Sequence, residues 1–416
     1  MSILRINGGR ELSGSVRTHG AKNAVLPILA ASLLAGGETA IHNCPNLSDV
    51  DAAVKILNHL GCRATLDNGT AYVSSETLSR LDIPHDLMRE MRSSVIFLGA
   101  VLARGGEAKL SMPGGCELGP RPVDIHLKAL RELGAEIVEE GGNILCRATH
   151  LRGTRVNLSF PSVGATENTM LAASLAEGTT IITNAAREPE IWDLQCYLRG
   201  LGVNVQGAGT PTITVIGTKI RTSTEHRVIP DRIVASTLLT AAAVTQSDVE
   251  ITDVIPRHLT TVTDALGEMG CRLDIGADSI RIKSTGTLNA IRPVITEPYP
   301  GFPTDVQPQL MAATLRAAGT TVFVENIFEN RFRHTEELRR FGAKIKVEGR
   351  VAMVTGVPKL IGTQVKSTDL RGGAALVVAA LGAEGTTQIS ALEHIDRGYD
   401  GLERSLASLG ADISRI

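Results

Sequence analysis

The chain has 416 residues, 43% hydrophobic but only 3% aromatic, and a formal net charge of −2. This balance excludes bulk attraction to nucleic acid or to an anionic membrane, and the scarcity of rings argues against base-stacking platforms. The length predicts two or three domains with sizeable cores, and the longest apolar runs, such as 374–381, are too short to span a bilayer.

The first six residues read as a strand, since no apolar stretch of the kind a signal peptide needs follows them. A soluble, cytoplasmic protein is expected. The six cysteines are Cys44, Cys62, Cys116, Cys146, Cys196 and Cys271. They form no Cys-x-x-Cys pair, and no His/Cys cluster has zinc spacing. A reduced compartment, no structural metal and no cofactor follow as expectations.

From here the chain repeats itself. A helical pattern ending in an apolar residue and then glycine, followed by a strand, occurs at Gly61, Gly134, Gly202, Gly270, Gly342 and Gly410, 68 to 73 residues apart. Glycine in that place is the left-handed residue just past a helix. Cys62 and Cys271 directly follow two of these glycines, where other copies have Ala or Val, so both are expected to be small buried apolar residues.

A second pattern interleaves with the first: an Ala/Leu-rich helix, a turn and a short apolar strand. Its turns fall at Gly37, Gly106, Gly178, Ser247, Gly319 and Gly385. Two patterns kept in phase over six copies are a structural repeat. Each unit holds two helices and three or four strands. The Ala-rich helices are apolar all round, which places them inside with sheets around them. Three units make one domain of ordinary size, and six make two.

Each buried helix begins on polar groups: Lys22-Asn23, Arg92-Ser93, Gly164-Ala165-Thr166, Asp231-Arg232, Thr304-Asp305 and Asp369-Leu370-Arg371. Capping accounts for Asp231, Thr304, Asp369 and Thr166. It does not account for Lys22, Arg92, Arg232 and Arg371, because cations oppose the helix dipole there. A positive helix end with a positive side chain is an anion site. The expectation is a cationic cleft between the domains that takes phosphate and carboxylate groups.

Several stretches add chemistry to these starts. Residues 111–122 carry Pro113-Gly114-Gly115-Cys116 with Arg121 five positions on, a loop open to close approach that can bring a thiol to a ligand. Ser162-Val163-Gly164 opens a helix with small residues suited to a diphosphate or sugar. Pro300-Gly301-Phe302-Pro303-Thr304-Asp305 ends a rigid turn on a carboxylate, either a helix cap or a general base, which a basic setting would keep ionised. Arg331 and Arg397 sit in loop-like surroundings, and His126 and His394 are candidate acid–base groups without a visible partner.

These stretches, with Asn184 to Glu190, Phe328-Glu329-Asn330-Arg331-Phe332 and His394-Ile395-Asp396-Arg397-Gly398-Tyr399, resemble from end to end the UDP-N-acetylglucosamine 1-carboxyvinyltransferases of the enolpyruvyl transferase family. The resemblance implies an inside-out α/β fold of two similar domains, each of three β-α-β-α-β-β units with helices buried and sheets outside. It implies domain I at 22–229 with the Cys116 loop, domain II at 1–21 plus 230–416, and the active site in the cleft between them. It implies transfer of the enolpyruvyl group of phosphoenolpyruvate to the 3-hydroxyl of UDP-N-acetylglucosamine with release of phosphate, the first committed step of peptidoglycan synthesis.

By the same resemblance Cys116 is the proton donor and forms a pyruvate adduct, and fosfomycin is expected to alkylate it. Asp305 resembles the base near the sugar hydroxyl. Lys22, Arg121 and Arg397 resemble the phosphate clamp, and Arg331 and Arg371 the carboxylate side, with Asn23 also at phosphoenolpyruvate. Asn23, Arg92, Arg121, Pro122, Val123, Asp124, Ile125, Ser162, Val163, Gly164, Asp305 and Ile327 resemble contacts to the sugar nucleotide. Partners are these small molecules, with no nucleic acid and no membrane, and the chain is a monomer or weak homo-oligomer. Phe160 stands where some members carry a lysine, and Glu117 adds a negative charge beside the thiol.

The alternatives are 5-enolpyruvylshikimate-3-phosphate synthase, which lacks this cysteine loop, and a non-catalytic or moonlighting paralogue of the same fold. An RNA 3′-phosphate cyclase would need His394 as nucleophile, and a DNA clamp would need cations spread along the chain instead of at single recurring points.

Overall fold

The computed structural model describes residues 2–91, 93–111, 123–220 and 222–416. Within these the repeat is explicit, as six four-stranded sheets. In each sheet one parallel pair is extended by two antiparallel strands, as in Asp82–Ile83, Glu107–Ser111, Asn143–Arg147 and Glu136–Glu140. In four of the sheets a buried helix connects the parallel pair, whereas helices Lys22–Ser32 and Arg232–Val244 each lead from a strand of one sheet to a strand of another. This is the β-α-β-α-β-β unit with helices inside and sheets outside.

The chain divides into two compact units, one built from 1–19 with Pro230–Ile416, the other from the described residues between 20 and 229. The assignment of the short strands explains why the first unit needs the amino terminus. Leu4–Asn7 pairs with Thr386–Ser390 and Asp412–Arg415 and completes the sixth sheet. Ser13–Arg17 lies parallel to Asp248–Thr252 and begins the fourth. In the other unit Thr224–Arg227 returns beside Glu38–His42 and begins the first sheet. Its His226 is held by buried Asp193 at 2.9 Å, and Asp193 also accepts the Ile229 N–H.

The helices Arg232–Val244, Gln307–Thr314 and Leu370–Leu381 form the centre of the first unit. Gln307–Thr314 is buried at every residue and Leu370–Leu381 at all but its first, and the glycines and alanines of the latter leave room for close packing. The glycines that end the amphipathic helices all have left-handed φ, from 86° at Gly202 to 101° at Gly61 and Gly270. Cys62 and Cys271, next in the chain, are buried.

The second turn differs in two copies from the sequence expectation. The left-handed residue is Gly36 in the first copy and Gln246 in the fourth, each one position before the expected Gly37 and Ser247. Ser247 is needed elsewhere, because its hydroxyl accepts the Leu12 N–H at 2.6 Å. A third recurring position sits just after the last strand of the unit. At Gly356 a Cβ would lie 1.7 Å from the Ala317 carbonyl oxygen at a helix end. In the fourth copy Ser284 stands there, and its hydroxyl donates to the Ala243 carbonyl at 3.0 Å. Either the backbone closes on the helix end or a hydroxyl caps it. Among the described residues, no helix is long and apolar enough to cross a membrane.

Candidate active site

The starts of the three buried helices in the first unit meet around Asp305. This carboxylate does not cap the helix that follows it. Its Oδ1 accepts from Arg331 Nη2 at 2.8 Å and its Oδ2 from Arg371 Nη2 at 3.0 Å. Thr304 does not cap either, contrary to the capping expectation: its hydroxyl donates to Glu325, and the residue before helix Gln307–Thr314, Val306, offers no side-chain cap. Asp231 and Asp369 do cap, each accepting two backbone N–H groups. In the fifth copy the helix cap has been given up, and two cations take the acid in its place.

Arg331 is the largest fully buried side chain among the described residues, 1% exposed. Besides Asp305 it donates twice to the Thr304 carbonyl, at 3.1 and 2.7 Å, lies 3.8 Å from Asp369, and stacks on Phe328. Arg371 is buried over the ring of Tyr399, whose hydroxyl meets Thr237 and Gln309. Among the described residues its Nε and Nη1 are buried and make no hydrogen bond. A guanidinium keeps donors beyond the one that Asp305 takes, and such donors suit an oxyanion.

Burial alone would push the Asp305 carboxyl up. The guanidiniums of Arg371 and Arg331, with Arg232 beyond them, outweigh it and hold the group well below the usual carboxylate range. Asp305 therefore stays ionised at neutral pH, with its side chain 27% exposed. Behind Arg331, His334 is fully buried, its Nδ1–H donating to the Arg331 carbonyl at 2.9 Å. Burial pulls His334 down to about 4 against the counter-effect of Asp369.

A pH dependence follows. Between pH about 6.5 and 4 the unfolded chain binds a proton at His334 that the native chain refuses, so stability falls as pH falls through that window. His258, also lowered to about 4, acts in the same direction. The contribution of Asp305 is lost only below the ordinary carboxylate pKa, about 3.9. Unfolding free energies from urea denaturation at pH 7 and pH 4.5 should differ by about 2–3 kcal/mol on account of His334. His334→Gln should remove that share of the difference; an unchanged pH slope would count against it.

In the second unit Lys22 opens helix Lys22–Ser32, is 8% exposed, and pairs with buried Asp49 at 2.8 Å. Asn23 beside it is partly exposed. Ser162 caps helix Val163–Ala173 by accepting the Ala165 N–H, and Val163 and Gly164 remain partly exposed. Thr166 donates to the Ser162 carbonyl and accepts the Ala186 N–H, tying the 184–188 stretch to this helix start. A Cβ on Gly164 would come within 2.9 Å of the His126 ring. His126 is buried with its Nδ1 2.8 Å from the Asn168 amide nitrogen, so its ring packs the helix start. Val123 is partly exposed, Asp124 exposed and Ile125 buried. Arg92, Cys116, Arg121 and Pro122 lie outside the described residues.

Arg397, Ile327 and His394 are partly exposed in the first unit, and Phe160 is exposed in the second. Sequence reasoning missed Asp49, Glu325, His334 and Glu167. Asp49 was available as an acid in the first turn of helix Ser48–His59. Glu167 is buried with one oxygen unpartnered, and burial, then the charges of Glu190 and Glu188, raise its carboxyl well above the usual range.

The EPSP synthase (3-phosphoshikimate 1-carboxyvinyltransferase) family matches residues 6–406. The chain is 51% identical over 416 residues, all of both chains, to UDP-N-acetylglucosamine 1-carboxyvinyltransferase 2 of Caldanaerobacter subterraneus subsp. tengcongensis. It is 47% identical over 419 residues, 100% of this chain and 99% of the other, to the protein of the same name from Staphylococcus saprophyticus. Among solved structures it resembles the enolpyruvyl transferase NikO from Streptomyces tendae, with TM-score 0.90, 28% identity and coverage of 100% and 98%. An EPSP synthase from Acinetobacter baumannii shares the fold, with TM-score 0.76, 20% identity and full coverage of both.

Proposed function

The chain belongs to the EPSP synthase family of enolpyruvyl transferases, and on that footing we infer that it transfers the enolpyruvyl group of phosphoenolpyruvate to the 3-hydroxyl of UDP-N-acetylglucosamine, releasing phosphate. The observation that carries the reading is the likeness, along the whole chain and at about half identity, to relatives that bear this activity in their names. The step commits the sugar nucleotide to peptidoglycan. We place it in the cytoplasm, acting as a monomer or weak homo-oligomer.

The chemistry has three demands. The sugar oxygen bonds to C2 of phosphoenolpyruvate while its proton leaves. C3 gains a proton, making a methyl group. The methyl then loses a proton as the C–O bond to phosphate breaks, which restores the double bond. We assign the hydroxyl proton to Asp305, an ionised carboxylate with an open side, and the C3 proton to Cys116. Lys22, Arg121 and Arg397 take the phosphate. Arg371 takes the carboxylate, and Arg331 serves the same side through Asp305. Asn23 is assigned to both substrates, and Arg92, residues 121–125, Ser162 to Gly164 and Ile327 to the sugar nucleotide.

Cations lower a thiol's pKa and favour thiolate, which has no proton to give. Bound phosphoenolpyruvate offsets them. Cys116 should therefore be alkylated by fosfomycin as a thiolate in the empty enzyme and act as an acid once loaded. The decisive assay is phosphate release from phosphoenolpyruvate with UDP-N-acetylglucosamine, with shikimate 3-phosphate, and with neither. Release is expected only with the sugar nucleotide, and Cys116→Ser should lower it by about 10²-fold or more. Release driven by shikimate 3-phosphate would overturn the substrate assignment. An alkylation pH profile indifferent to phosphoenolpyruvate would overturn the role of the thiol.

A further inference from the structure

We infer that Glu325 is the positioning residue for Asp305: it ties the turn that carries the base to the loop that carries the base's arginine. The inference rests on the proposed role of Asp305.

The repeat shows that Glu325 is out of pattern. Four other copies have a left-handed residue directly after the strand that follows the buried helix: Asn43, Asn184, Asp253 and Ala391, with φ from 53° to 61°. Asn43 and Asn184 use that conformation to donate their amides to the carbonyls of Val228 and Leu158, just past the neighbouring parallel strand. The fifth copy has Glu325 after strand Thr320–Val324, and it is not left-handed. Its side chain turns instead into the protein and is 1% exposed.

There its Oε1 accepts the N–H groups of Ile327 and Phe328 at 2.9 and 3.0 Å, and both its oxygens lie 3.1 Å from the Thr304 hydroxyl. Among the described residues no cation forms an ion pair with it. A carboxylate buried among neutral donors costs free energy that a serine or asparagine at the same turn would avoid. What the carboxylate achieves is a closed circuit. Glu325 holds Thr304, whose carbonyl receives Arg331, whose Nη2 holds Asp305 Oδ1. Arg331 stacks on Phe328, and the Phe328 N–H returns to Glu325. Without Glu325, the Thr304 hydroxyl and the Ile327 and Phe328 N–H groups are released together, which loosens Arg331 and leaves Arg371 to fix Asp305.

The groups that face Asp305 are Arg331 and Arg371 in contact and Arg232 beyond, with Asp369, His334 and Tyr399 behind the arginines. Loosening Arg331 removes one positive neighbour, so the acid limb of the kcat–pH profile should move to higher pH.

The test compares Glu325→Ala, Glu325→Gln, Thr304→Val and Asp305→Asn in the full chain, by phosphate release across pH and by thermal melting. Glu325→Ala is expected to lower kcat about 10²-fold, the scale of a misplaced reacting group, and to raise the acid limb. Glu325→Gln keeps an oxygen for the two N–H groups and should recover most of that loss. Thr304→Val, which exchanges only the hydroxyl for a methyl group, should shift the limb in the same direction and settles the matter if Glu325→Ala does not fold. Native kcat and an unmoved limb in Glu325→Ala, or an unmoved limb in Thr304→Val, overturn the inference. Native activity in Asp305→Asn instead removes the reading of Asp305 as base, whatever Glu325 does.

Discussion

Asp305→Asn is expected to lower kcat by about 10³-fold, within the range that loss of a positioned general base produces, while KM for phosphoenolpyruvate changes little. An asparagine keeps an oxygen for one guanidinium but cannot take a proton from the sugar hydroxyl at any working pH. The loss should therefore be flat across the neutral range, unlike the shifted limb expected when only the position of the acid is disturbed. Because Arg371 and Arg331 hold the native carboxyl well below its ordinary range, it is a weak base in the resting chain. The developing charge on the sugar oxygen, and the negative substrate placed among the same cations, raise its proton affinity where the proton must move. Steady-state kinetics with both substrates varied, alongside circular dichroism to confirm folding, check this. Activity within tenfold of native would mean that another group takes the proton and that Asp305 acts only through its charge.

Arg331→Met is expected to be the most destabilising single change around this site, by about 3–5 kcal/mol, the cost of breaking a buried ion pair from one side. The methionine fills much of the volume but leaves the Thr304 carbonyl without its two donors and Asp305 with Arg371 alone. Phe328 loses its stacked cation. Arg333→Met, two positions on at an exposed side chain, should stay within about 0.5 kcal/mol of native. Urea denaturation of both variants at pH 7 provides the comparison. If Arg331→Met melts with the native chain, the buried network contributes specificity of position and not stability, and its kinetic effect must then be read separately.

Much of the fold was legible because its signals are local and periodic. Glycine after a helix, an alanine-rich helix apolar on all sides and a short apolar strand each declare themselves within a dozen residues, and six copies remove the ambiguity of one. The misplaced turns at Gly37 and Ser247 are one-residue slips where a neighbour, Gly36 or Gln246, takes the left-handed conformation. The site was less legible. Thr304 and Asp305 precede a buried helix and have the chemistry of caps, as Asp231 and Asp369 do. Nothing within reach along the chain says that Arg331 and Arg371, 26 and 66 residues later, claim the acid instead. Glu325 reads as one more charge at a strand end, and only its departure from the left-handed turn shared by Asn43, Asn184, Asp253 and Ala391 reveals its task.

The amino-acid order by itself determined the repetition, the burial of the helices and the outward sheets, because hydrophobic period is a record of which face must leave water. It also placed cations at the helix starts. Which carboxylate each cation meets was decided only in three dimensions. Ion pairs have no period, several acids and bases are chemically equivalent along the chain, and separation at about 3 Å between residues distant in sequence selects among them.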